Sequence, residues 1–582
     1  LDANTTADNN TAVGKSALTA NTTGAGNVAI GKDALDSNTT ASNNVAIGID
    51  ALQSNTIGAE SVAIGAFALN AQNPASAASM YNVAVGHNSG AAVSTGIRNT
   101  LIGGLAGDAI TDADNNEAFG YGALSSNVLG SRSVAIGTAT LLSQNPASAT
   151  EMYNVAVGFE AGLSISTGVQ NTFIGGLAGD ANTTASNNTA VGYASLGANT
   201  TGTGNNAFGA LALDANTTGN YNVAIGDSAL GSVTTASNNT AVGSAAATAT
   251  TTGANNVAIG TDALITNTTA SNNTAVGYLS LRANTTGFEN TAVGTNSLKL
   301  NTTGTENVAM GVNSLDANTT GDFNTAFGTS ALGANTTADN NTAVGRNALV
   351  KNTTGSENTA VGALALDACT TGNNNTAMGH NSLSTNILSD HNVAIGNDAL
   401  ATHNRDGSVD AYNVAVGSGA GASVTTGVQN TFIGGNSGDG TDDGGFNTSV
   451  GYNSLSANCG NQNSALGENA LAQTTGATNT AIGAAAGFEV TSGSNNILVG
   501  TDSGRTGSPG GSQTTGSNEI FLGDENITAA NIQVDWTVAS DQRDKTDFTA
   551  LNLGLDFVKA LAPVTYKWDK RSKYGDKTAD DY

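Results

Sequence analysis

The chain has 582 residues, including 75 Gly and only 4 Pro, with 11% charged and 5% aromatic residues and a formal net charge of −27. So acidic a balance leaves nothing to neutralise a run of phosphates, which argues against nucleic-acid binding. No stretch approaches the roughly 20 apolar residues that a membrane helix needs, and so few charges and aromatics are poor material for several ordinary globular domains.

The chain opens without Met, and Leu1 to Thr6 reads as mid-repeat with no signal peptide in view, so the natural N-terminus is expected upstream. From there one short block, Asn-Thr/Val-Ala-Val/Ile-Gly, recurs. Its glycine falls at Gly14, Gly31, Gly48 and Gly65, and again from Gly192 through Gly209 and Gly226 to Gly396, in steps of 17 residues. Two short extended segments fit in each unit, one around Asn-Thr-Ala-Val and one around Ala/Ser-Leu. Asn-Thr-Thr-Gly and the coil glycine join them, since Asn and Gly tolerate positive φ at corners.

This spacing predicts an all-β fold, a parallel β-solenoid or β-roll over residues 1–500, with one coil per 17-residue unit. Gly14 to Gly500 makes about 29 coils, and at the ~4.8 Å strand spacing a rod on the order of 140 Å. A helical repeat is excluded because 17 residues leave no room for two helices and Gly, Asn and Thr oppose helix. Disorder is opposed by the apolar phasing: Val13, Ile30, Ile47 and Ile64 share one phase, Leu18, Leu35, Leu52 and Leu69 another. A coil with so few large apolar residues has a thin core. The small columns of Ala12, Ala17, Ala29 and Ala34 suit close contact with a neighbouring chain, which points to a closed trimer.

Three steps, Gly65 to Gly86, Gly137 to Gly158 and Gly396 to Gly417, are 21 residues long and place Tyr81, Tyr153 and Tyr412 before the strand. Each reads as a small loop leaving the rod. Such a loop could contact a receptor, although the echo of Gly65–Gly137 in Gly137–Gly209 favours plain duplication. The many Asn-Thr-Thr matches to the N-glycosylation pattern read as corner chemistry, with Thr and Asn rows able to form ladders between coils. Regular Thr rows also raise ice binding, but they lie in turns and are interrupted. His87, His380, His391 and His403 are scattered, the carboxylates drift from coil to coil, and no metal or cofactor constellation is expected. Cys369 and Cys459 lie 90 residues apart, about five coils, too far for a disulfide within one chain.

After Gly500 the character changes. Residues 501–517 read as a Gly/Ser link, followed through residue 539 by a β cap with the alternation Ile532, Val534, Trp536, Val538. Eight of the 18 basic residues fall at or after Arg543, and both tryptophans, Trp536 and Trp568, lie beyond the array. Here Ser540 precedes Lys545 by five positions, a nucleophile with a candidate base.

The run Ser540-Asp541-x-Arg543-x-Lys545-x-Asp547, then Leu553-Gly554-Leu555-Asp556-Phe557-Val558 and Leu561-x-Pro563-Val564-x-Tyr566-x-Trp568, resembles the start of the intramolecular chaperone domain of bacteriophage tail fibres and tailspikes. The resemblance covers residues 540–582, and the chain stops at Tyr582 where that α+β domain would continue into helical structure. It implies a homotrimer, Ser540 as nucleophile, Lys545 as general base and the Ala539–Ser540 bond as the one cut. The repeats themselves resemble the heads of trimeric autotransporter adhesins, which implies left-handed coils, although the usual unit there is shorter. Two functions follow as expectations. One is a phage tail fibre in the virion tail that reaches a bacterial surface receptor, a carbohydrate by expectation. The other is a bacterial cell-surface or exported adhesin carrying the same chaperone.

Overall fold

The computed structural model describes residues 2–533 apart from 406 and 408. The described residues contain no helix, and their strands gather into one 30-stranded sheet plus two small two-stranded ones. Residues 2–526 form one compact unit, the rod. Each coil contributes one three-residue strand, and successive strands pair parallel and in register, as in Val28↔Val45, Ala29↔Ala46 and Ile30↔Ile47. The predicted solenoid of about 29 coils is what forms, and at ~4.8 Å per strand the stack is roughly 140 Å tall.

The second extended segment does not form. Where Ala/Ser-Leu was expected to be strand, Asp33 has φ 55° and Leu35 φ 50°, and the same left-handed pair recurs coil after coil. These residues still bond coil to coil through their backbone: Leu35 N–H donates to Ala51 O at 3.0 Å and Thr39 N–H to Thr56 O at 2.9 Å. Left-handed φ is costly for leucine, and burial offsets it, because Leu18, Leu35, Leu52 and Leu69 are all fully enclosed. The coil glycine has no such freedom. Gly31 sits at φ 139°, and a Cβ there would lie 2.3 Å from the carbonyl oxygen of Gly48.

The two apolar phases divide between inside and outside, which reverses one expectation. The alanines at strand centres and beside the leucines, Ala17, Ala29 and Ala34, are buried within their own chain, and Ala12 packs against the same core. They cannot touch a neighbouring chain. The column of Val13, Ile30 and Ile64 lies outside, because residues on either side of a buried strand centre must face the other way.

Two asparagine ladders run through the core. In one, Oδ1 of Asn290 accepts the Asn307 N–H at 3.0 Å while its Nδ2 donates to Gly304 O at 2.8 Å. In the other, Asn318 Nδ2 donates to Asn301 Oδ1 at 2.8 Å and to Gly321 O at 3.0 Å. From Asn21 onward the Asn-Thr-Thr asparagines belong to this second ladder and are buried, so they are structural, as the corner chemistry implied. The threonines beside them add a third row, such as Thr302 Oγ1 donating to Thr319 O at 2.9 Å. Each coil thereby satisfies buried polar groups of the next.

The 21-residue coils keep the sheet in register: Val62–Ile64 still pairs residue for residue with Val83–Val85. The extra residues make a loop with a small parallel pairing of its own, Gly58–Ala59 with Ala78–Ser79 and Gly130–Ser131 with Thr150–Glu151. Residues 501–517 carry the chain back to the sheet, where Ile520–Leu522 pairs with Ile497–Val499. Ser503, Ser508 and Gln513 are buried in this last, longer turn. Of the alternation expected from Ile532, only Ile532 lies among the described residues.

Candidate functional surfaces of the rod

The last residue of every strand in the 30-stranded sheet is Val, Ile, Phe, Met or Leu, and it faces outward. Exposure along this stripe reaches 57% at Val13, and others such as Ile47, Val85 and Val191 are half-buried. One large apolar side chain every ~4.8 Å along the whole rod far exceeds the isolated apolar patches of a monomeric surface. The first strand residue faces the same way and is Val, Thr, Ser, Asn or Ile throughout, except at Glu117.

A second column stands two residues before each strand. Its backbone is left-handed, which suits the Asn found there in many coils (Asn43, Asn187, Asn238, Asn272). At the long coils it carries other chemistry. Tyr153 donates its hydroxyl to Glu151 Oε2 at 2.6 Å, and Arg132 bonds Glu151 at 2.9 Å while its guanidinium stands 5.5 Å over the Tyr153 ring. The third long coil repeats this design with other residues: His391 Nδ1 lies 2.9 Å from Asp410 Oδ1, Tyr412 donates to Asp410 Oδ2 at 3.1 Å, and the His391 and Tyr412 rings stack at 4.9 Å. Of these residues the sequence reading singled out the tyrosines and listed His391 only as scattered. The cation and carboxylate partners become legible only when the repeat is read down its columns.

The buried titratable groups are held neutral. His403 replaces an asparagine of the second ladder and is fully buried, and neither ring nitrogen has a hydrogen-bond partner at normal geometry. Burial first, and the nearby Arg405 charge second, push its pKa down to about 4 against the weaker pull of the Thr425 backbone. Cys369 and Cys459 are free and buried, and burial pushes the Cys369 thiol up to about 12, so neither is a nucleophile near neutral pH. Partial burial also raises the carboxyls of Asp108, Asp180, Asp214, Asp316, Asp367 and Asp439, which share one column five residues after the coil glycine.

Among the described residues no group of three or more His, Cys, Asp or Glu could hold a metal ion, and no helix is long and apolar enough to cross a membrane. Ala539, Ser540 and Lys545, the expected cleavage site and dyad, lie outside the described residues. Residues 540–581 match the family described as chaperone of endosialidase. No curated protein and no solved structure is significantly similar to the chain. The β-solenoid and this C-terminal match together fit a fibre- or tailspike-type protein that carries an intramolecular chaperone.

Proposed function

We propose that the chain is a bacteriophage tail fibre that forms a homotrimer in the virion tail, reaches a bacterial surface receptor and removes its own C-terminal chaperone. The observation that carries this reading is the outward apolar stripe, unbroken from Val13 to Leu522. Such a surface needs cover along its full length, and identical rods in parallel, related by a closed rotation axis, supply it in register. A folding template at the C-terminus solves the matching problem: three chains of nearly identical coils could align in many registers, and a template that starts them together fixes one.

Cleavage assigns Ser540 and Lys545 the roles that the resemblance implies. Neutral Lys545 takes the proton of the Ser540 hydroxyl, whose oxygen attacks the Ala539 carbonyl. The Ser540 nitrogen leaves with a proton, and water hydrolyses the ester that remains. Lys545 is neutral near pH 7 only if burial lowers its pKa, which assembly provides. With the template gone, the finished fibre is kinetically trapped.

Native and intact mass measurement on the full gene product tests this reading. The expected result is a trimer whose chains end at Ala539, a full-length trimer for Ser540→Ala, and a folded monomer for the pair Ile225→Asp and Ile259→Asp. A parent chain that is monomeric at micromolar concentration, or a Ser540→Ala chain that is still cut, overturns it.

A further inference from the structure

The left-handed column before the strands reads, over five consecutive coils, Tyr81, Arg98, Asn115, Arg132, Tyr153, with φ between 51° and 63° throughout. These positions stack directly: Arg98 N–H donates to Met80 O at 2.8 Å, Asn115 N–H to Ile97 O at 3.0 Å and Arg132 N–H to Asp114 O at 3.0 Å. Only ten basic residues precede Arg543 in this chain, and two of them stand here two coils, roughly 10 Å, apart. Arg132 is engaged by Glu151, but Arg98 has no carboxylate within ion-pair reach among the described residues. It donates Nε–H to Asn115 Oδ1 at 2.9 Å, which orients the guanidinium and leaves its terminal N–H groups toward solvent.

Between the arginines lies a shallow depression of about 420 Å³ lined by Arg98, Asn115, Glu117 and Arg132. Tyr81 and Tyr153, 56% and 44% exposed, stand in the same column, one coil beyond Arg98 and one beyond Arg132. Glu117, the one charged residue among the outward first strand positions, reaches the same depression. Arg and Tyr are less suited to left-handed backbone than the Asn commonest in this column, where Glu289, Phe323 and Glu357 also stand in other coils.

The duplicated stretch supplies an internal control. Over the echoed stretch the positions equivalent to Tyr81, Arg98, Asn115 and Arg132 are Tyr153, Gln170, Asn187 and Gly204: the tyrosine and the asparagine remain, both arginines are gone, and Tyr221 follows in the next, ordinary coil. There Tyr221 lies across Gly204, where a Cβ would meet its ring at 2.7 Å. Duplication accounts for Tyr153 as the copy of Tyr81 and for the asparagine, and not for the arginines.

We infer that the depression lined by Arg98, Asn115, Glu117 and Arg132, with Tyr81 and Tyr153 in the same column on either side, binds an acidic glycan, an oligosaccharide with a carboxylate among neutral sugars. This rests on the fibre reading and names the chemistry of the receptor. The guanidinium fork of Arg98 matches a carboxylate two-pronged. The tyrosines present flat apolar faces with a polar tip, which suits the faces and hydroxyls of pyranose rings, and Asn115 and Glu117 offer acceptors for further hydroxyls. The span from Tyr81 to Tyr153, roughly 19 Å over four strand spacings, fits an extended oligosaccharide rather than a single sugar. A dense polyanion is disfavoured, because a chain of net charge −27 repels it.

The test is a glycan array of uronate-bearing oligosaccharides and their neutral counterparts, probed with the assembled protein and with the variant Arg98→Gln/Arg132→Gly, whose new residues are those of the duplicate. Both side chains are exposed, so the variant assembles as the parent does. The expected result is at least tenfold tighter binding of one or more uronate-bearing glycans over the neutral partner, lost in the variant. No preference for uronate in the parent, or the same preference in the variant, overturns the inference. If both proteins still assemble and bind whole bacterial cells, the fibre reading stands and only this site falls.

Discussion

The run from Gly192 to Gly396 and the stretches around the three long coils follow one fold by different means. In the uniform run almost every coil spends the same residues on the same tasks: Ala at the strand centre, Leu in the left-handed turn (Ala247 once), and a polar side chain, most often Asn, in each ladder, with Val233 and Cys369 the exceptions in the second. At the long coils those tasks change hands together. The second-ladder position becomes Gln72, Gln144 or His403, and the longer glutamines reach across the widened coil to take Asn82 Nδ2 and Asn154 Nδ2, both at 2.9 Å. In the coil that follows, the strand centre enlarges to Leu101, Phe173 or Phe432, and the leucines on both sides become glycine. A Cβ on Gly179 would meet the Phe173 ring at 2.7 Å, and one on Gly438 the Phe432 ring at 2.5 Å. A long coil is thus one part of a two-coil module, used three times. A regular solenoid tolerates an insertion only where core volume and ladder are rebalanced beside it.

The sharpest way to break this comparison is at Phe173. Phe173→Ala leaves a cavity and costs about 3–5 kcal/mol, which hydrogen exchange reads as lost protection in residues 158–192. Adding Gly179→Leu restores the uniform pattern on one side and recovers a large part of that loss. If the double variant is no better protected than the single one, the two columns do not exchange volume.

His403 tests the ladder half of the module. Its folded pKa of about 4 lies below the ordinary 6.5, so its contribution is complete above pH 6.5 and is lost as pH falls through the folded value, by about 3 kcal/mol in all. His403→Gln supplies the residue that the other two long coils use. It removes this acid sensitivity, seen as exchange protection around residue 403 that no longer declines between pH 6.5 and 4. An unchanged decline places the acid-sensitive group elsewhere.

The smallest effect belongs to the uniform run. Asp316 has its pKa raised by burial, so its charged form is disfavoured in the rod and its stabilising contribution, present at low pH, is lost as pH rises through the folded pKa. Asp316→Asn is therefore expected to raise the melting temperature slightly at pH 7 and to leave it unchanged near pH 3. Destabilisation at pH 7 would mean that the carboxylate makes a bond worth more than its desolvation.

The 17-residue period, the corner residues and the alternation of Val-Ala-Ile determined the architecture by themselves, because a strict period with apolar residues in fixed phase has few ways to bury them. Spacing also located the three long coils. Two things were settled only in three dimensions. Which apolar column faces inward depends on where the turn places Leu relative to the strand, and left-handed φ at Leu35 and its equivalents turns that side chain into the core. The grouping of Arg98, Asn115 and Arg132 between two tyrosines depends on coils stacking in register through a four-residue insertion, so that residues 17 or 21 apart in sequence become neighbours about 5 Å apart. Read along the chain these are isolated polar residues, and stacking makes them a surface.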